Sequence, residues 1–376
     1  MTTTLIPILS GLVAFLVVLL VTPLVMRLAH RVGAVDHPGD QRRIHTRTVP
    51  LLGGLAILAG FLVPTLYYLP ADAATRGLIA GAALIALLGV ADDVFGLSPA
   101  MKLVGQVTCA LVPVSAGLTI DHITLPGVGA LDLGAAQYPL SLLWFVALVN
   151  MINFTDGMDG LAAGVTGIGA LTFAVLAASL DRADPAILAA ALAGACIGFL
   201  VFNFNPARIF MGDTGSMLLG FLIAGVAISG VMKSAAAIAV LVPLIVLAIP
   251  ILDTSFVIMK RLKYGLPVYS ADRSHFHHRF MAIGWSQRRI VLALYGWCLL
   301  MAAFALAMRF VPYTDGHGHW NAGWTAVLGV AGALALGAAV YLVYILEILK
   351  WRSTPVVELV RRHREQRAGD EVPSRP

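Results

Sequence analysis

Residues Leu5 to Met26 read LIPILSGLVAFLVVLLVTPLVM without one charged side chain, and the first positive charges, Arg27 and Arg31, follow at the far end. A hydrocarbon core about 30 Å thick is crossed by a helix of about 20 residues, so this run is long enough to span a bilayer. No basic segment precedes it, as one would in a cleaved secretory signal, and it is expected to remain as a first span entering from outside.

The same pattern recurs along the chain. Apolar runs of spanning size lie at 5–29, 51–70, 76–92, 100–119, 138–155, 161–180, 185–204, 214–232, 235–260, 289–311 and 322–349. Of 376 residues, 59% are hydrophobic and 12% charged, whereas soluble domains carry roughly 25% charge. The expected fold class is an all-α, polytopic integral membrane protein of about 11 transmembrane helices. Residues 1–349 form its membrane-embedded domain, and 350–376 a basic cytoplasmic tail that reads as an interfacial helix followed by disorder.

Alternating the loops from an outside N-terminus puts 21 of the 25 Lys and Arg on the inner side, leaving only Arg76, Arg182, Lys233 and Arg309 outside. This asymmetry follows the positive-inside rule and sets the C-terminus in the cytoplasm. The expected location is a bacterial inner membrane, with the working face cytoplasmic. A net charge of +5 suggests nucleic acid only when the basic residues share a soluble surface, so no nucleic acid is expected. A basic inner face suits anionic membrane lipids and anionic soluble substrates. Cys109, Cys196 and Cys298 stand far apart in apolar runs, without metal or disulfide spacing, and read as packing.

Polar residues crowd at the inner ends of the spans. Four of the five asparagines, Asn150, Asn153, Asn203 and Asn205, lie at the ends of the fifth and seventh. Asp92 and Asp93 close the third span, with Lys102 opening the next helix. Adjacent helical residues diverge by about 100°, so one of the pair is free to bind metal while the other meets substrate. In Asn150-Met151-Ile152-Asn153-Phe154-Thr155-Asp156-Gly157-Met158-Asp159-Gly160 a polar side chain recurs at every third position, a spacing that keeps the groups near one helix face. In Asn203-Phe204-Asn205-Pro206-Ala207-Arg208-Ile209-Phe210-Met211-Gly212-Asp213-Thr214-Gly215-Ser216 the last three residues are expected to present free N–H groups to a phosphate at a helix start. Asp213 there offers a hard oxygen for Mg2+. Within the basic loop 260–289, His275, His277 and His278 stand between Arg273 and Arg279. No cysteine lies nearby, and the donor-rich set suits a diphosphate better than zinc. Asp253, inside the ninth span, is expected to be functional as an intramembrane charge.

With these motifs in order, and with Arg42-Arg43-Ile44-His45 and Pro50-Leu51-Leu52-Gly53-Gly54 ahead of them, nearly the whole chain resembles the polyprenyl-phosphate N-acetylhexosamine-1-phosphate transferase family. The loop His275-Phe276-His277-His278-Arg279 departs from the unbroken three-histidine run of the branch that makes muramoyl-pentapeptide lipid. It is similar to the branch that uses N-acetylglucosamine. The resemblance implies transfer of N-acetylglucosamine-1-phosphate from UDP-N-acetylglucosamine to undecaprenyl or decaprenyl phosphate, releasing UMP and initiating cell-envelope polysaccharide. Mg2+, or Mn2+ in its place, is the implied cofactor, and a second copy of the chain is kept as a partner. By the same resemblance Asp213 holds the metal, shared with Asp92, and Asp92 and Asp93 act on the lipid phosphate, which Lys102 meets. Asn153, Asp156 and Asp159 match the nucleotide-sugar face, with Asp156 and Asp159 among the catalytic residues, while Asn150, Asn203 and Ser216 bind substrate and Phe210 stacks on uracil. Arg273, His275, His277, His278 and Arg279 form the diphosphate loop, His277 and His278 as catalytic residues, and His45 binds substrate.

Two other classes are weighed. An anionic-solute transporter would place polar residues on broken helices near the bilayer midplane, where this chain has almost none. A CDP-alcohol transferase would cluster its acidic residues on one helix, and here they are divided among several.

Overall fold

The computed structural model describes residues 2–36, 48–70, 72–125, 129–232, 241–263, 284–312 and 321–345. Each apolar run of the sequence holds helix. The order is α1 Thr2–Val32, α2 Gly53–Tyr68, α3 Ala73–Phe95, α4 Pro99–Ser115, α5 Gln137–Thr155, α6 Leu161–Ser179, α7 Ala183–Asn203 and α8 Gly212–Ala227. Then come α9 Leu241–Val246, α10 Ala248–Lys263, α11 Gln287–Phe310 and α12 Ala322–Ile345. Among the described residues seven helices are long and apolar enough to cross a membrane, and two shorter apolar ones begin at Gly53 and Ala322.

The chain is mainly helical, as expected, with two departures in detail. The ninth run is divided into α9 and α10, because Pro250 lacks the N–H that the Val246 carbonyl would receive and its ring crowds that turn. Two small antiparallel pairs also form: β1 Val35–Asp36 with β2 Val49–Pro50, and β3 His122–Leu125 with β4 Gly129–Asp132 between α4 and α5.

Helix α8 is the centre of the bundle. Every residue from Thr214 to Ala227 is buried, as expected of a helix that is apolar on all sides. It packs against α2, α3, α5 and α6, while α1 lies on α2 and α7, and α11 lies on α6. Leu5, Ile8, Leu12, Leu16, Leu20, Leu24 and Leu28 form one exposed stripe on α1, an apolar face suited to lipid.

Close backbone contact sets the end of α8 that matters. A Cβ on Gly89 of α3 would stand 2.3 Å from the Thr214 Cα, so only glycine lets α3 approach the first turn of α8. The chain divides into two units, Met1–Gly329 and Val330–Pro376, and everything described below belongs to the first. The expected tail, 350–376, lies outside the described residues.

Candidate active site at the converging helix ends

The C-terminal ends of α3 and α5 meet the N-terminal ends of α4 and α8. Helix α3 closes at Gly96 in the left-handed region, and the short link to Ser98, which caps α4 by accepting from the Met101 N–H, turns the chain back. This reversal brings Lys102 beside Asp92. The Lys102 ammonium pairs with Asp92 Oδ2 and, at 2.6 Å, with Asp213 Oδ2. Buried Asp92 also accepts the Leu97 N–H through Oδ1, at 2.8 Å.

Asp93 points the other way, as the helical angle between neighbours requires. Its Oδ1 accepts from the Asp213 N–H at 2.8 Å, and its Oδ2 accepts from the Thr214 N–H at 3.1 Å and the Thr214 hydroxyl at 2.6 Å. It therefore caps α8 from another helix, placing negative charge at the positive end of the helix dipole. Gly212 makes room for it: its φ is +67°, and a Cβ there would meet the Asp93 carboxylate at 2.4 Å.

On the opposite side of Asp213, the Asn153 amide donates to Asp213 Oδ1 and to the Ser216 hydroxyl, both at 2.8 Å. Ser216 in turn donates to the Gly212 carbonyl at 3.2 Å. Asp213 is thus held by a cation on one oxygen and an amide on the other. Asp156, the residue after α5, is half-buried. Desolvation, reinforced by the nearby negative charges of Asp213, Asp93 and Asp159, pushes its carboxyl up to about 8.

Asp159 Oδ2 accepts from the Asn205 amide and the Ala207 N–H, each at 3.0 Å. Asn203 accepts the Gly160 N–H at 3.0 Å and donates to the Ile209 carbonyl at 2.9 Å. Half-buried Phe210 joins the segment after α7 to the segment before α2: its N–H bonds the Pro50 carbonyl at 2.9 Å, and its carbonyl accepts from Gly53 at 3.0 Å.

Asp92, Asp93, Lys102, Asn153, Asp213 and Ser216 therefore form one hydrogen-bonded cluster, with Asp156 near enough to feel its charges. Three expectations change. The three-residue polar spacing is helical only for Asn150 and Asn153, since α5 ends at Thr155 and Asp156 and Asp159 sit in the turn before α6. Asn150 turns away from the cluster: its amide donates to Gln106 Oε1 at 2.6 Å and to the Val146 carbonyl at 2.8 Å, tying α5 to α4. The start of α8 does not present free N–H groups at Thr214 and Gly215. Asp93 takes the first and the Met211 carbonyl the second.

His45, Arg273, His275, His277, His278 and Arg279 lie outside the described residues, as does the side chain of Asp253. Sequence reasoning passed over Gln106, Gln287, Arg288 and Tyr295. Gln106 and Tyr295 are single polar residues within apolar runs, while Gln287 and Arg288 fall at the end of the basic stretch 260–289, and no spacing marks any of them. Among the described residues no group of three His, Cys, Asp or Glu side chains is arranged to hold a metal. Asp92 and Asp213 do converge on one cation, the Lys102 ammonium, and two carboxylates sharing a cation position suit Mg2+, which commonly takes one or two carboxylates plus substrate phosphates.

Residues 75–231, which hold all six residues of this cluster, match the model of glycosyl transferase family 4. A "Probable undecaprenyl-phosphate N-acetylglucosaminyl 1-phosphate transferase" of Bacillus subtilis (strain 168) is 41% identical over 288 residues, covering 75% of this chain and 79% of the relative. The decaprenyl-phosphate N-acetylglucosaminephosphotransferase of Mycobacterium tuberculosis (strain ATCC 25618 / H37Rv) is 36% identical, covering 82% and 83%. A phospho-N-acetylmuramoyl-pentapeptide-transferase of Desulforudis audaxviator (strain MP104C) is 35% identical, covering 78% and 96%. With a relative above 40% identity over three quarters of its length and its acidic and asparagine motifs gathered at one end of the bundle, the chain belongs to the polyprenyl-phosphate N-acetylhexosamine-1-phosphate transferase family.

Proposed function

We propose that this protein is a phosphotransferase that moves N-acetylglucosamine-1-phosphate from UDP-N-acetylglucosamine to a polyprenyl phosphate, undecaprenyl or decaprenyl, releasing UMP and opening the synthesis of an envelope polysaccharide. The observation that carries the reading is the meeting of Asp92, Lys102, Asn153 and Asp213 at one end of an apolar bundle. Both reacting groups are phosphates, so the site has to neutralise charge on phosphorus oxygens while an apolar tail stays in lipid.

Asp213 and Asp92 are the residues that would hold Mg2+, which supplies positive charge to the diphosphate and acts as a Lewis acid on it. Lys102 is placed to exchange carboxylate for phosphate oxygens as a partner. Asn153 fixes the direction of the Asp213 carboxylate. Asp92 lies beside the ammonium and is the group to orient the lipid phosphate or take its proton. Asp93, with all three of its contacts on the start of α8, acts by setting where Asp213 stands.

For the lipid tail there is an apolar cavity of about 300 Å³ along α5, α9 and α10, lined by Trp144, Leu148, Met151, Leu244 and Ile251. Met151, at one end of that lining, belongs to the turn of α5 that also carries Asn153. The eleven-span arrangement, with the N-terminus outside and the polar ends facing the cytoplasm, puts the site where a soluble nucleotide sugar and a membrane lipid meet. The inner-membrane location belongs to the same proposal. N-acetylglucosamine is preferred to the muramoyl-pentapeptide donor because the interrupted histidine loop and the more similar relatives agree.

The bond that breaks tests the reading. With donor labelled at the phosphate next to the sugar, the label is expected in the lipid product, unlabelled UMP is expected as co-product, and added UMP should return the label to the donor. Labelled UDP as the stoichiometric product would overturn it.

A further inference from the structure

A second hydrogen-bonded group lies beside the cluster and joins it to α11. The Asn205 amide nitrogen donates to Asp159 Oδ2 at 3.0 Å and to Gln287 Oε1 at 2.9 Å. Its backbone carbonyl accepts from Arg288 Nε at 2.9 Å. One turn further along α11 and a second beyond that, Tyr295 donates its hydroxyl to the Gly160 carbonyl at 2.5 Å. There is no slack at this contact, since a Cβ on Gly164 would stand 2.0 Å from the Tyr295 ring.

Beside its local backbone bonds, such as Gly157 N–H to the Thr155 carbonyl and Leu161 N–H to the Met158 carbonyl, the turn 156–160 is tied from outside at both ends. Asn203 holds the Gly160 N–H, Tyr295 holds the Gly160 carbonyl, and Asn205 and the Ala207 N–H hold one oxygen of Asp159. Both hydrogens of the Asn205 amide are engaged, one toward a carboxylate in the turn and one toward the first residue of α11. That bridge fixes Asp159 with respect to α11. A carboxylate that must receive a ligand's donors depends on such fixing, because an error of a fraction of an ångström in its position weakens the bond it makes.

We infer that Asn205 and Gln287 are positioning residues that hold the Asp156–Asp159 turn to the first turn of α11 and so set the affinity for the uridine nucleotide. Neither touches the reacting atoms, and both act through Asp159. The inference rests on the proposed donor, so its test has one readout that needs no donor. Hydrogen exchange of the peptide covering residues 156–164 reports directly on how tightly the turn is held.

In full-length protein in detergent, Asn205→Ala and Gln287→Met should each speed exchange in that peptide. Asn205→Ala should weaken UMP binding by about tenfold, the effect of losing one hydrogen bond to a charged group, and raise KM for UDP-N-acetylglucosamine alike. The acceptor KM should not change, and kcat should stay within about twofold. Gln287 is half-exposed at the first position of α11, so Gln287→Met folds even where Asn205→Ala does not, and its loss should be smaller, about threefold. The double variant should be no worse than Asn205→Ala alone, because both remove the same bridge. Unchanged exchange and unchanged UMP affinity in folded Asn205→Ala would overturn the inference. So would a loss confined to kcat, which a merely structural role would give. Faster exchange in a protein whose wild type binds no UMP would leave the tie standing and overturn the proposed donor instead.

Discussion

Asp156→Asn offers a test of the site that reads charge rather than turnover. Burial and the neighbouring carboxylates lift Asp156 from 3.8 to about 8 in the folded protein. The unfolded chain keeps the lower value. Between these limits the folded state holds a proton that the unfolded state has lost, so this group makes stability fall as pH rises. The slope is at most about 1.4 kcal/mol per pH unit. From the ordinary value to pH 7 this accumulates to about 4 kcal/mol, and the part of the side chain still in contact with solvent lowers it to about 2–4 kcal/mol. Asparagine carries no such penalty. Reversible unfolding in mixed micelles with EDTA, measured from pH 5 to pH 8, should show the variant ahead by only about 1–2 kcal/mol at the acid end, where little of the penalty has accumulated. The variant should gain steadily toward pH 8, even though its turnover is lost. A difference that does not vary with pH would refute the assignment of a raised carboxyl to Asp156.

Asp93→Ala should destabilise the protein by about 2–4 kcal/mol, since it strands two helix-start N–H groups and the Thr214 hydroxyl, and chemical denaturation checks this. Gly89→Ala should cost about 3 kcal/mol or more and reduce expression in membranes, because its methyl group has only the Thr214 backbone to displace. Asp213→Asn is expected to leave insertion and folding intact while turnover falls by at least about a hundredfold. Near wild-type activity with unchanged Mg2+ dependence would reduce Asp213 to a helix-start residue. For the eleven-span topology, a cysteine placed near Gly127 should react with an impermeant reagent added from outside, and one near His277 should not.

Helix existence was legible because spans of about 20 apolar residues have few alternatives in a bilayer, and the acidic and asparagine motifs stood out against that background. Pairing was another matter. Nothing local in Gly89-Val90-Ala91-Asp92-Asp93 says that Asp93 will cap a helix more than a hundred residues later. That outcome depends on Gly89 and Gly212 letting two backbones meet. The turn 156–160 misled for the opposite reason: spacing by three is compatible with a helix, but Gly157 and Gly160 end it, and Gly160 stands at φ +81°. Asn150 and Asn153, one turn apart on α5, show that helix face alone does not settle a role. One meets Gln106 on α4, and the other meets Asp213 on α8.

The charge of the cluster bears on what it needs from elsewhere. Among the described residues, Asp92, Asp93, Asp159 and Asp213 stand with one lysine, Lys102, between Asp92 and Asp213, and Asp156, whose carboxyl is raised to about 8, adds to the negative side when it ionises. Two phosphate-bearing substrates brought to this end of the bundle would meet repulsion that Lys102 alone does not offset. The arrangement therefore suits anionic substrates only with additional positive charge. The proposed divalent cation supplies part of it at Asp92 and Asp213. The sequence places Arg273, Arg279 and three histidines in the loop that precedes α11, the helix whose first turn holds the Asp159 turn through Asn205. On this account the acidic cluster is incomplete by design: its carboxylates collect cations, and the cations collect the phosphates.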